Sequence, residues 1–227
     1  MMRSVLAASA AMGLLVAQPL APATAHAATL CVELNGADEP EGLCRVHDTE
    51  PNYVLDMSFP VDFPDQAAVD DFVAQTRTGF LNATQTPSFG NVPYALDMKV
   101  TLWSSDTTRS VSFEIYQDLG GAHPDTWYKT FNYDTVRNRP IEFDDLFAPG
   151  AKPLEAIFPI VQRELAAETG MSEPVIETDG MDPSKYRKFA ITPTELVFFF
   201  DRGELMAGAA GAQTVQVPRS AIPPLAV

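Results

Sequence analysis

Between Tyr94 and Asp134 apolar and polar residues alternate in three successive runs, and this constrains the fold more than any other feature of the chain. Leu96, Met98, Val100 and Leu102 share one side of the first run. Val111, Phe113 and Ile115 share one side of the second, and the third runs from Trp127 to Tyr133. A period of two is the side-chain period of a strand, so each run can lay one face on a core. The links between the runs are a polar turn at Ser104–Thr108 and a turn built on Gly120, Gly121, His123 and Pro124. Links this short join antiparallel neighbours. The segment therefore predicts an antiparallel meander.

Elsewhere the period changes. Val54–Phe59 alternates and reads as a strand. Val69, Phe72, Val73, Thr76 and Phe80 then recur at helical spacing behind Asp65, a residue type suited to the N-cap. Leu154, Ile157, Phe158, Val161 and Leu165 form a second helical stripe that Gly170 ends. Pro159 inside it should kink that helix or mark its true start. Phe189–Ile191 and Leu196–Phe200 flank Thr192–Glu195 as a hairpin, and Thr214–Val217 is the last strand. Gln85–Pro93, Thr178–Ser184 and Ala207–Ala212 read as loops. Strands with two main helices between them and mostly short links give an α+β class.

The N-terminus reads as a secretory signal peptide, residues 1–27. A short basic start at Arg3 precedes an apolar run, Val5–Ala17, and then Ala25-His26-Ala27, an A-x-A cleavage signal. Cleavage is expected between Ala27 and Ala28. The run is too short for the roughly 20 residues that span a bilayer. Cys31 lacks the small residue directly before it that lipidation needs, so no membrane anchor is expected. Residues 28–227 are then expected to form one secreted domain, outside the cell or associated with its envelope. The leader removes Arg3 alone, which takes the formal charge from −15 to −16. Such a chain repels nucleic acid and anionic membranes and attracts cationic partners. Its two cysteines, Cys31 and Cys44, are an even count in an exported chain and are expected to pair. The bond would tie down a loop, LNGADEPEGL, that has little else to hold it.

No catalytic motif stands out. There is no G-x-S-x-G elbow, no phosphate-cradling or dinucleotide-binding glycine pattern, and Asp179–Asp182 lacks calcium-loop spacing. With only His26, His47 and His123 beside two cysteines, a zinc site is a poor fit, and no cofactor is expected. Asp144-Asp145 reads as a turn or helix start. His123 stands between Ala122 and Pro124 behind two glycines, and its place in a turn predicts a bond to backbone or to a neighbouring strand. With 30 acidic residues some carboxylate pairs must form, which keeps a cell-wall or glycan hydrolase as the alternative function.

The chain is similar to the secreted immunogenic antigen family of mycobacteria. The similarity rests on PDQAAVDDFVAQTRTGFL, GGAHPDTWYKTFNYD, RPIEFDDLF, FPIVQRELAAETG, DPSKYRKFAIT, LVFFFDRGEL and AAGAQTVQVPRSAI, in order from about Cys31 to Ile222, with the cysteine pair. Residues 120–222 also resemble a widespread extracytoplasmic domain of unknown function, found in a membrane anti-sigma factor that senses lysozyme. The resemblance implies a β-grasp-like fold, export, no catalytic residues, and action by binding another protein. That partner would be a lysozyme-like cationic protein or a host protein. It makes the turn at Gly120, Gly121, His123 and Pro124 a structural signature of the family.

Overall fold

A computed structural model describes residues 30–86 and 93–227. The expected leader and its cleavage point at Ala27 and Ala28 lie outside these residues, as does most of the loop at 85–93. Strands β1 (Ala37–Glu39), β2 (Leu43–Glu50), β3 (Tyr53–Pro60), β4 (Tyr94–Ser104), β5 (Thr108–Asp118), β6 (Asp125–Asp134) and β7 (Arg139–Pro140) form one sheet in sequence order. Every neighbouring pair is antiparallel except β3 and β4. Parallel neighbours need a long crossover, and helix α1 (Gln66–Ala83) supplies it. β4, β5 and β6 are the meander that the alternation predicts.

Two expectations need correction. Part of the supposed N-terminal loop is strand: Ala37–Glu39 pairs with Leu43–Arg45. The run Leu43–Glu50 carries little apolar alternation, and its pairing with β3 makes it a strand. Asp65 does stand at the N-cap of α1, but its side chain accepts no capping bond. Gln66 organises the entry instead, accepting from the Phe63 amide at 2.7 Å and donating to the Pro60 carbonyl at 2.8 Å.

The sheet's inner face is apolar. Leu55, Met57 and Phe59 of β3, Leu96 and Met98 of β4, and Val111, Phe113 and Ile115 of β5 bury against Val69, Val73 and Phe80 of α1. Cys31 and Cys44 are joined at one edge of this core, with Cα atoms 5.9 Å apart.

The second half builds its own layer. Helix α2 (Pro153–Thr169) starts at Pro153, contains Pro159, and ends on Gly170 in the left-handed conformation. It packs on a three-stranded antiparallel sheet of β8 (Phe189–Ile191), β9 (Glu195–Phe200) and β10 (Gln213–Pro218). Tyr186 is buried here, stacked on Phe143 and edge-on to Phe198 and Phe200. The small sheet's other face, Ala190, Val197 and Phe199, packs on Tyr128 and Trp103 of the large sheet. Polar ties fix the contact. The Ile191 amide donates to Ser110 Oγ at 3.2 Å, and Asn132 Nδ2 donates to the Phe189 carbonyl at 2.9 Å.

This docking covers the outer face of the large sheet only over β5, β6 and the end of β4. Over β2, β3 and the start of β4 the outer face meets solvent, with Arg45, His47, Thr49 and Lys99 exposed.

Candidate functional site

On that open face a polar row crosses the strands. His47 of β2 stands opposite Asp56 of β3, Asp56 beside Asp97 of β4, and Asp97 opposite Tyr116 of β5. His47 and Thr49 lie two residues apart, so the strand period puts them on one face. His47 Nε2 is 3.2 Å from Thr49 Oγ1, and His47 Nδ1 is 3.4 Å from Asp56 Oδ2. The second distance is long for a hydrogen bond. Carboxylate, imidazole and hydroxyl thus stand in series. With the Nδ1 proton directed at Asp56, Nε2 is left free to accept from Thr49.

Arg45 holds the carboxylate. Its Nε and Nη2 donate to the two Asp56 oxygens at 3.0 and 2.6 Å. These bonds keep the Asp56 carboxyl below its ordinary range, so it stays ionised. Lys99 pairs with Asp97 at 3.2 Å. Arg45, Asp56, Ser58, Asp97, Lys99 and Tyr116 line a shallow hollow of about 510 Å³ beside the histidine.

The residues singled out by sequence lie elsewhere. Gly120 adopts φ +69° and its amide donates to Asp118 Oδ1 at 2.8 Å. His123 is exposed, with Nδ1 3.1 Å from the Pro124 carbonyl and 2.9 Å from Arg202 Nη1. The turn is therefore tied to the strand end of the second half. Asp145 serves a capping box: it accepts from the Glu142 amide at 3.1 Å and pairs with Arg139, and these bonds lower its pKa. Asp182 accepts from the Ser184 amide, again a local cap. Among the described residues no group of three or more His, Cys, Asp or Glu side chains is placed to hold a metal ion. No helix among them is long and apolar enough to cross a membrane.

Residues 144–220 match the family described as "Protein of unknown function (DUF3298)". The match starts downstream of the Gly120–Pro124 turn. Over 204 residues the chain is 39% identical to immunogenic protein MPT64 of Mycobacterium tuberculosis, covering 88% of this chain and 89% of that protein. It belongs to the mycobacterial immunogenic protein family. Within this kinship it is 49% identical over 201 residues to Esterase Rv3036c of M. tuberculosis, covering 87% of this chain and 88% of that protein. It is also 29% identical over 128 residues to peptidoglycan-N-acetylmuramic acid deacetylase PdaC of Bacillus subtilis, but these span only 55% of this chain and 27% of that protein.

These relatives overturn the expectation that the chain lacks enzymatic activity: one of them, nearly half identical along almost its whole length, is an esterase by name. That expectation rested on the lack of a contiguous motif and on what the resemblance implied, and neither speaks to residues brought together only by the fold. A base and its orienting acid need share only a place in the fold. His47 and Asp56 are nine positions apart and meet only because β2 and β3 pair in this register. The one sequence signal for the site was His-x-Thr spacing, and it required β2 to be read as a strand.

Proposed function

We propose that the chain is an exported hydrolase of carboxylic esters, working at His47. One observation carries the reading: of the two histidines among the described residues, His47 alone stands between a carboxylate and a hydroxyl, Asp56 and Thr49. The name of the relative Esterase Rv3036c supports the reaction class. Export rests on the leader-like residues 1–27. A single long helix laid across a mixed sheet supports a β-grasp-like reading of the fold.

In the proposed reaction Thr49 Oγ1 attacks the ester carbonyl carbon and its proton passes to His47 Nε2. The ionised Asp56 orients the ring and stabilises the imidazolium that forms. Arg45, bonded to both Asp56 oxygens, keeps that carboxylate in place behind the ring. The tetrahedral adduct collapses, and His47 returns the proton to the leaving alcohol. Water, deprotonated by the same nitrogen, then releases the acid from Thr49.

The test is hydrolysis of p-nitrophenyl acetate and butyrate by residues 28–227. His47→Gln and Thr49→Val should each lower the rate by about 10²–10⁴-fold with an unchanged circular-dichroism spectrum. Wild-type rates in His47→Gln would refute this site, and no hydrolysis above buffer by the wild-type chain would refute the activity.

A further inference from the structure

A second cleft opens at the opposite end of the same strands. β3 and β4 pair from Tyr53 with Tyr94 to Met57 with Met98, and there the pairing stops. β3 runs on to Pro60 beside β2, and β4 runs on to Ser104 beside β5. The two strands therefore diverge, and the sheet splits between them. A cleft of about 700 Å³ fills the split, walled by Glu41, Pro60, Asp62, Phe63, Trp103 and Arg109 among others.

The walls are fixed before any ligand arrives. The Val61 amide donates to the Gly42 carbonyl at 2.9 Å, which joins the two loops of one side. Buried Gln66 clamps Pro60 and Phe63 of that same side. Glu41 is held in the left-handed conformation at φ +65°, a position that few non-glycine residues occupy and that often marks a functional site. Across the cleft the Trp103 indole N–H donates to Ser112 Oγ at 2.9 Å and its ring packs near Phe199, so the ring is pinned while it remains only half buried. Arg109 Nη1 is anchored on the carbonyls of Ser105 and Thr108.

We propose that this cleft binds a neutral glycan chain. A sugar ring has one face of C–H groups and a rim of hydroxyls that both donate and accept. A fixed indole matches the apolar face. Exposed carboxylates at Glu41 and Asp62 accept from hydroxyls, and the Arg109 guanidinium donates to them. Two acids against one base, within a chain of net charge −15, disfavour an anionic ligand. An inserted peptide strand fits less well. It could pair with the free side of β4, but the facing wall offers Pro60 and Pro64, which lack backbone N–H donors. This site is separate from the His47 row and does not rest on the esterase reading.

The experiment is calorimetric titration of residues 28–227 with two neutral β-1,4-linked probes, chitotetraose and cellotetraose. At least one should bind saturably at millimolar concentration or below. Trp103→Ala should weaken that binding by about tenfold or more, whereas Trp103→Phe should retain most of it. If Trp103→Ala fails to fold, the exposed pair Glu41→Gln and Asp62→Asn replaces it and should weaken binding similarly. His47→Gln should bind as the wild type does, which separates this result from the fate of the esterase site. No saturable heat with either probe would overturn the proposal, and so would affinity that survives loss of Trp103 or of both acids.

Discussion

Removing the disulfide is the sharpest test of how the N-terminal edge is held. Cys31 and Cys44 are 13 residues apart. In the loop-closure account the bond removes from the unfolded chain an entropy of about 2.1 + 1.5R ln 13 cal/mol/K, or about 3 kcal/mol at 25 °C. Both sulfurs are almost fully buried against the core of the large sheet, so replacing them by alanine adds a small cavity cost of about 1 kcal/mol. Gly36 shows how tightly the bond is packed: a Cβ there would overlap Cys44 Sγ and press on Cys31 Sγ. Cys31→Ala/Cys44→Ala should therefore lose about 4 kcal/mol in urea titrations of residues 28–227. Its m-value should rise slightly, because the unfolded chain is released from a restraint. The melting temperature should fall by roughly 8–16 °C. Reduced wild type should show most of the same loss without any change of sequence. A difference below about 1 kcal/mol would refute the argument and would mean that β1–β2 pairing alone orders this edge.

Gly180→Ala should cost about 1–3 kcal/mol, read from urea midpoints, because the added Cβ would run into the Phe158 ring. Asp134 is 1% exposed, and the amides of Arg137 and Val136 with the Arg137 guanidinium hold its carboxyl below the usual range. A depressed carboxyl stabilises the fold above its unfolded value of about 3.9, and that contribution is lost as pH falls through the folded value. Asp134→Asn should thus cost about 2–3 kcal/mol at pH 7, with the gap to wild type shrinking in thermal melts below about pH 4. A gap that stays constant to pH 2 would sink that assignment. His123→Ala should change stability by less than about 1 kcal/mol and leave ester hydrolysis unchanged, since the ring is exposed on Arg202 and Pro124. Lost hydrolysis at unchanged melting temperature would show that the turn belongs to a site.

The sequence by itself determined the local elements. Alternation at Leu96–Leu102 and Val111–Ile115 set those strands and their inner faces, because side chains on a strand alternate whatever it pairs with. The stripe from Val69 to Phe80 set α1, and Gly170 set the end of α2. The cysteine pair was legible from its even count behind the leader-like residues 1–27. Tertiary structure decided the rest. β2 has little alternation of its own and became a strand only by pairing with β3. That register brings His47 to Asp56, and no local period encodes a meeting nine positions apart. The docking of β8–β10 decided which part of the outer face stays open. The parallel pairing of β3 with β4, and its end at Met57 and Met98, opened the cleft at Trp103. A residue's period fixes which way its side chain faces, but which strand lies beside it depends on contacts distant in sequence, and both candidate sites are made by those neighbours.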